Sequence, residues 1–336
     1  MLRKIEFSEI KNIVNGVAYL EEAEGRIVFH RFTKEQETLY ENMRPEYISA
    51  CMRTAGVKLL FQTDSSKLYL KADTTSQLAD RMFYSFDVSI NGKQVDKLDN
   101  FSGKHWDSDY VHAQFPTGVV EKCFEIGQGD KTVCIEFPYT VRAELIELCV
   151  EEHAYVKKIK RDKKLLAFGD SITHGYDALH PSKRYISRLA EYLEAEEVNK
   201  AIGGETFFPE LGLTKEEFEP EYITVAYGTN DWSHNSRETF VTSCTAFYKN
   251  ISETYPKAKI YAISPIWRKD YQLDKEFGPF HELIEVMQEA VADLSNVKLI
   301  PGFDLVPHDE KLFGDFRLHP NDEGFTYYFE NCIRLF

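Results

Sequence analysis

Hydrophobic and polar positions follow two different rhythms along the chain, and the change between them falls near residue 155. In the first half, short β-like runs rich in Val, Ile, Tyr and Phe occur at 27–32, 57–61, 68–70, 82–90, 110–115, 119–126, 131–137 and 143–150, the signature of half-buried strands. Asn91-Gly92 closes the run at 82–90 with a hairpin turn, because both residues accept positive φ. Further turns are expected at 116–118 and 127–130, and one helix at 46–53 after Pro45. Many short strands at this spacing predict an antiparallel β-sandwich of jelly-roll type.

In the second half, strand-like runs at 165–168, 198–202, 222–227, 259–264 and 297–300 alternate with helical patterns at 182–193, 238–254, 276–294 and 322–335. Within 182–193, Tyr185, Leu189 and Tyr192 or Leu193 fall on one face. Such alternation implies right-handed βαβ crossovers and a parallel sheet covered on both faces. Residues 151–164 between the two rhythms are dense in charge and read as a solvated linker. A chain of 336 residues exceeds a usual single core, so two domains are expected, a β-sandwich accessory domain at 1–158 and an α/β domain at 159–336.

Composition narrows the partners. A net charge of -15 argues against nucleic acid or an anionic membrane surface as partner. No run is long and apolar enough to span a bilayer, and Glu6 and Glu9 interrupt what a secretory signal would need; a cytoplasmic location is expected. The six cysteines (Cys51, Cys123, Cys134, Cys149, Cys244 and Cys332) lie mostly in apolar or strand-like runs without CxxC spacing, which reads as reduced thiols.

The chemistry gathers where the parallel strands end. The first apolar run stops at Gly169-Asp170-Ser171, the second at Gly203-Gly204 and the third at Gly228-Thr229-Asn230-Asp231, and the loop after the last leads to His319. Open α/β sheets bind ligands at this rim. A serine hydroxyl becomes nucleophilic when a base takes its proton, and of ten histidines His319 has the best context, in a loop before the last helix with Asp315 four residues upstream. The backbone N–H groups of Ser171 and Gly204 and the Asn230 amide would supply oxyanion donors; at Gly204 a side chain is expected to block close approach of the backbone.

The other candidates read more simply. Asp170 and Asp231 are expected to tie down their turns by hydrogen bonds. His174 lies on the descending loop after Ser171, and His308 is the other rival to His319. His180, His234 and His281 read as surface or loop residues, and no histidine forms a metal-ligand pair at helical spacing. His105 and Trp106, beside Asp107 and Asp109, read as a loop anchored by a half-buried tryptophan. Trp232 and Trp267 are candidate aromatic walls for a sugar or an acyl chain; Arg268 would bind an acidic group or cap its strand end.

Gly169-Asp170-Ser171-Ile172, the 199–204 segment, Gly228-Thr229-Asn230-Asp231 and His319-Pro320-Asn321 follow in order the four sequence blocks of the SGNH (GDSL) hydrolase family, which the chain resembles over about 163–336. The resemblance implies a flavodoxin-like α/β/α fold without metal or cofactor. It also implies Ser171 as nucleophile, His319 as general base, and Gly204 with Asn230 in the oxyanion hole. The family's acid usually stands three residues before the histidine, where this chain has Phe316. Asp315, one residue earlier, is the expected orienting acid, since positions three and four back share one side of a helical turn; a Ser-His dyad is the alternative.

The β-rich front half adds a likeness in architecture to acetyl xylan esterases and related carbohydrate esterases. The expected activity is therefore removal of a short acyl group, acetyl above all, from a carbohydrate-like alcohol, with a small-molecule or oligosaccharide acyl ester as partner. Lipid or thioester hydrolysis, acyl transfer at the same site, and non-catalytic carbohydrate binding are the alternatives. A homo-oligomer is left open.

Overall fold

The computed structural model describes residues 1–104 and 113–336. His105 and Trp106, their acidic neighbours Asp107 and Asp109, and the first part of the strand expected at 110–115 lie outside the described residues. Two compact units form: Met1–Phe32, Ser49–Arg161 and Leu179–Ser182 make one, and Thr33–Ile48, Asp162–Ala178 and Lys183–Phe336 make the other.

The first unit is the expected antiparallel sandwich. One sheet runs Tyr19–Ala23, Arg26–His30, Arg142–Glu151, Lys67–Ser76, Val119–Glu125, with Leu2–Lys4 beside Arg142–Glu151. The other runs Lys157–Lys158, Lys58–Thr63, Lys131–Glu136, Ser85–Ile90, Lys93–Asp99, with Val14–Asn15 beside Lys58–Thr63. Alternation drives the pairing of faces: Leu68, Leu70 and Ala72 of one sheet join Leu59, Phe61, Val133 and Ile135 of the other in a single core. Asn91 and Gly92 both take positive φ at the turn between Ser85–Ile90 and Lys93–Asp99, as the hairpin reading requires.

The second unit holds a parallel sheet of strands β1 (Lys163–Gly169), β2 (Ala195–Asn199), β3 (Tyr222–Ala226), β4 (Lys259–Ile263) and β5 (Val297–Ile300) in the order β2-β1-β3-β4-β5. This is the flavodoxin-like doubly wound order, whose switch point lies at the carboxyl ends of β1 and β3. Helices Tyr185–Tyr192, Arg237–Thr254, Glu282–Val291 and Asp322–Cys332 alternate with the strands. Ser236 caps Arg237–Thr254 through the Thr239 N–H, and Asn321 caps the last helix through the Glu323 and Gly324 N–H groups.

Three expectations about the front half and its boundary change. The division is not contiguous at 158/159: Thr33–Ile48 belongs to the α/β unit, Leu179–Ser182 belongs to the sandwich unit, and the expected boundary falls at Arg161/Asp162. The physical reason is helix Lys34–Met43, whose capping box joins Thr33 and Gln36 and whose buried Gln36 and Tyr40 bond to residues of the α/β unit. The charged run is not a free linker, because Lys157–Lys158 pairs with Lys58–Thr63 as a short Lys-rich edge strand and Lys163 opens β1. The helix expected at 46–53 is a 3-10 turn, Pro45–Tyr47, followed by the short helix Ile48–Cys51.

Candidate active site

Strand β1 delivers the serine. Gly169 pairs with Ala226 of β3, and a Cβ there would stand 2.5 Å from Thr173 Oγ1 and 2.9 Å from the Ala226 carbonyl oxygen, so only glycine fits. The chain then turns directly into helix Ser171–His174, with the Asp170 carboxylate accepting the Ile172 N–H at 3.0 Å. Asp170 thus ties down the turn, as expected; burial pushes its carboxyl up to about 6. Gly175, at φ 118, ends the helix.

The histidine arrives on a closed loop before the last helix. Gly314 N–H bonds to the His319 carbonyl at 2.8 Å, and Phe313 bridges to Pro320. Inside this loop Asp315 Oδ1 accepts the backbone N–H groups of Arg317, Leu318 and His319 at 3.0, 2.7 and 3.1 Å. Its Oδ2 accepts from His319 Nδ1 at 2.7 Å. The expected contact across one extra residue is present, but no helical turn makes it. Phe316 takes a left-handed φ of 54 and swings 39% exposed, so the added residue is looped out while the carboxylate stays beside the ring.

His319 Nε2 lies 2.8 Å from Ser171 Oγ. An ionised carboxylate only accepts hydrogen bonds, so Nδ1 carries the ring proton and Nε2 is left to accept from the serine O–H. Burial raises the Asp315 carboxyl, yet the bond to His319, the charge of that ring and the Leu318 and His319 N–H groups outweigh it, holding the group well below the usual carboxylate range. Asp315 is therefore ionised at neutral pH.

A second carboxylate stands nearby: Asp177 Oδ2 is 3.9 Å from His319 Nδ1, fully buried and at φ 71. Asp177, Asp315 and His319 offer ligand atoms within 4.8 Å of one another, but both ring nitrogens of His319 are engaged by Ser171 and Asp315, which leaves no lone pair for a cation. The sequence reading missed Asp177; its only signal was an acid two residues past the glycine that ends the nucleophile's helix.

Beside Ser171 itself, the expected oxyanion donors Gly204 and Asn230 follow the ends of β2 and β3, the strands flanking β1. Ile202 N–H bonds to the Gly169 carbonyl at 3.1 Å, which brings the chain leaving β2 alongside the nucleophile turn. Ile202 to Glu205 forms a β-turn closed by the Glu205 N–H on the Ile202 carbonyl at 3.2 Å, with Gly204 at φ 86 in its third position, where a type II turn demands positive φ. A Cβ on Gly204 would meet nothing nearer than the Tyr47 ring at 3.8 Å, so the backbone angle rather than the expected crowding calls for glycine there. Crowding applies one residue earlier: a Cβ on Gly203 would stand 2.7 Å from the Tyr176 ring, which lies against His319 at 5.7 Å between centroids. On the β3 side, Asn230 is in helix Thr229–His234 and its amide donates to the Glu205 carbonyl at 3.0 Å; the NH₂ group has a second hydrogen to offer.

The remaining candidates take structural places. Trp232 is fully buried, bonds through Nε1 to the Gly278 carbonyl at 2.9 Å and packs edge-on against Phe280; it offers no wall to a substrate. Trp267 is 7% exposed, with His308 stacked on its ring at 5.4 Å and Phe313 at 5.1 Å, so the ring is largely packed within its own unit. Arg268 does not await an acidic ligand, because its guanidinium is shared among Asp270, Thr229 and Ser233. Asp231 ties the Phe207 N–H to Asn235, and burial pushes it up to about 7. His308 bonds to the Phe303 carbonyl, and His180 to Asp87. All six cysteines are free thiols, four of them buried.

Residues 167–326 match the model of the GDSL-like lipase/acylhydrolase family. No curated protein matches the chain in sequence. Among solved structures, a salicylyl-acyltransferase, SsfX3, from a tetracycline biosynthetic pathway is similar over 99% of this chain and 96% of its own, at 18% identity and a TM-score of 0.82. A family two carbohydrate esterase from Cellvibrio japonicus is similar over 98% and 96%, at 16% identity and a TM-score of 0.64. An acetyl xylan esterase from the rumen bacterium Butyrivibrio proteoclasticus is similar over 99% and 97%, at 16% identity and a TM-score of 0.61. Among the described residues no helix is long and apolar enough to cross a membrane.

Proposed function

The chain carries an SGNH (GDSL) hydrolase domain and is an esterase or acyl hydrolase, and on that premise we propose that it removes short acyl groups, acetyl in particular, from a carbohydrate-like alcohol through an acyl-enzyme. The observation that carries the reading is the unbroken relay from Ser171 Oγ to His319 Nε2 at 2.8 Å and from His319 Nδ1 to Asp315 at 2.7 Å.

Ser171 Oγ attacks the ester carbonyl while its proton passes to His319 Nε2. The imidazolium so formed is balanced by the adjacent Asp315 carboxylate. The carbonyl oxygen becomes an oxyanion held by the Ser171 and Gly204 N–H groups and the second amide hydrogen of Asn230. The C–O bond to the alcohol then breaks, His319 returns the proton to the leaving oxygen, and Ser171 keeps the acyl group. Water, deprotonated by His319, repeats the sequence and frees the carboxylic acid and the serine. The likeness to carbohydrate esterases supports a sugar hydroxyl as the leaving group and acetyl as the acyl group.

A second reading has its own support. The likeness to the salicylyl-acyltransferase extends over nearly the whole of both chains, and the same acyl-enzyme would pass its acyl group to an acceptor alcohol in place of water. The deciding experiment measures release of p-nitrophenol from acetate, butyrate and octanoate esters, then repeats the acetate assay with added xylose or cellobiose. Hydrolysis fastest on acetate, with little acylated sugar formed, supports the esterase; octanoate turned over faster than acetate would overturn the short-chain reading, and acylated sugar as the main product would favour transfer.

A further inference from the structure

Oxyanion donors lower a barrier only when they are held in place before the charge develops. Here the Gly204 N–H belongs to a turn with two adjacent glycines, Gly203 and Gly204, the most permissive backbone a chain has. The Asn230 amide, in turn, is oriented by the carbonyl of Glu205, the next residue of that turn. Both donors therefore depend on a segment that its own sequence leaves soft.

What stiffens it comes from far away in the chain. Helix Lys34–Met43 and the turn Pro45–Tyr47 present Gln36, Tyr40, Arg44 and Tyr47 at spacings of four, four and three, and each meets the segment at residues 200–207. Gln36 accepts from Lys200 Nζ at 3.0 Å. Tyr40 O–H donates to the fully buried Glu205 carboxylate at 2.6 Å, where Tyr227 O–H also donates at 3.0 Å. Arg44 donates to the Thr206 and Phe207 carbonyls at 3.1 and 2.9 Å. Tyr47 O–H donates to the Gly204 carbonyl at 3.0 Å.

We propose that this strap sets the oxyanion donors: Tyr47, by holding the Gly204 carbonyl, fixes the turn at Gly204 and so the direction of its N–H on the preceding peptide, and Tyr40, by clamping the Glu205 side chain, fixes the carbonyl that aims the Asn230 amide. Both tyrosines are positioning residues, since they act through Gly204, Glu205 and Asn230. The proposal rests on the reading of Gly204 and Asn230 as oxyanion donors. It extends the catalytic apparatus to residues more than 150 positions upstream of it, in the half of the sequence that otherwise builds the sandwich.

The hydroxyl bonds, rather than the rings, are what the test removes. Tyr47 is only partly buried, so water can satisfy the Gly204 carbonyl in Tyr47→Phe and the fold survives. Steady-state kinetics on p-nitrophenyl acetate, with Tm recorded for each protein, compare wild type with Tyr47→Phe, Tyr40→Phe, Asn230→Ala and, as a control in the sandwich unit, Tyr155→Phe. The expected result is a fall in kcat of about tenfold in each strap variant, smaller than the loss from deleting a donor outright, with KM changed less than about twofold and Tyr155→Phe unchanged. A purely structural strap would instead lower Tm and leave kcat of the folded enzyme intact, and that outcome for Tyr47→Phe overturns the proposal. Should Asn230→Ala retain wild-type kcat, the oxyanion reading itself falls and the strap's role with it; loss in Asn230→Ala with none in either tyrosine variant overturns the strap alone.

Discussion

The turn carrying Ser171, the proposed nucleophile, and the turn carrying Gly204, the proposed oxyanion donor, follow neighbouring strands of one sheet, yet they are held in opposite ways. Around Ser171 the restraints are local: Asp170 caps the Ile172 N–H two residues on, and the Gly175 and Tyr176 N–H groups return to the Ser171 carbonyl. Around Gly204 a single local bond, from the Glu205 N–H to the Ile202 carbonyl, is joined by distant ones, with partners 157 and 165 positions away at Tyr47 and Tyr40. The difference follows from what each turn must do. A nucleophile needs one exposed oxygen at a sharp bend, which a capped helix start supplies by itself. Oxyanion donors need a flat run of backbone approached closely, which glycines permit but do not hold.

That contrast orders the expected effects of mutation. Ser171→Ala should lower kcat on p-nitrophenyl acetate on the order of 10⁵-fold with an unchanged Tm, since a self-contained turn loses only its reacting atom. Asp315→Asn should cost about 10³-fold or more, because an amide in place of the carboxylate no longer holds the proton on Nδ1 or balances the imidazolium; retention of most activity would show a Ser-His dyad, with Asp177, 3.9 Å from Nδ1, as the acid left beside the ring. Asn230→Ala should cost about 10²-fold, the usual loss of one oxyanion donor.

The smallest effect concerns stability. Burial raises the Glu205 carboxyl from 4.5 to about 7, so the folded protein holds that proton more tightly than the unfolded chain. Its contribution is complete below about pH 4.5 and is lost as pH rises through about 7, a slope worth about 3 kcal/mol at most. Denaturant titrations at pH 5 and pH 8 should show Glu205→Gln flattening this slope, while Asp170 and Asp231, raised to about 6 and about 7, keep their shares. An unaltered slope would mean that Glu205 is not protonated in the fold.

The same contrast explains which parts of the molecule could be read from sequence. The β1 turn was legible because an apolar run ending in Gly-Asp-Ser carries its own restraints, and the parallel sheet was legible from the alternation of periods. The Asp315 to His319 contact was anticipated across its extra residue, but its geometry was not, because a left-handed Phe316 is invisible in residue type. The places of Trp232 and Trp267 were not legible for a related reason: the residues packed against them, Phe280, His308 and Phe313, come from other parts of the chain. Helix Lys34–Met43 was missed although Thr33-x-x-Gln36 is a capping-box pattern, and nothing in its sequence says that its buried face serves the α/β unit rather than the sandwich around it.

The most direct test of the relay is covalent. Wild type and Ser171→Ala are incubated with a p-nitrophenyl alkylphosphonate, which phosphonylates an activated serine irreversibly, and the modified peptide is identified by mass spectrometry. The expected result is one adduct on the peptide carrying Ser171 and none in Ser171→Ala. An adduct on a different residue, with ester turnover surviving in Ser171→Ala, would contradict Ser171 as the nucleophile and the relay drawn from it.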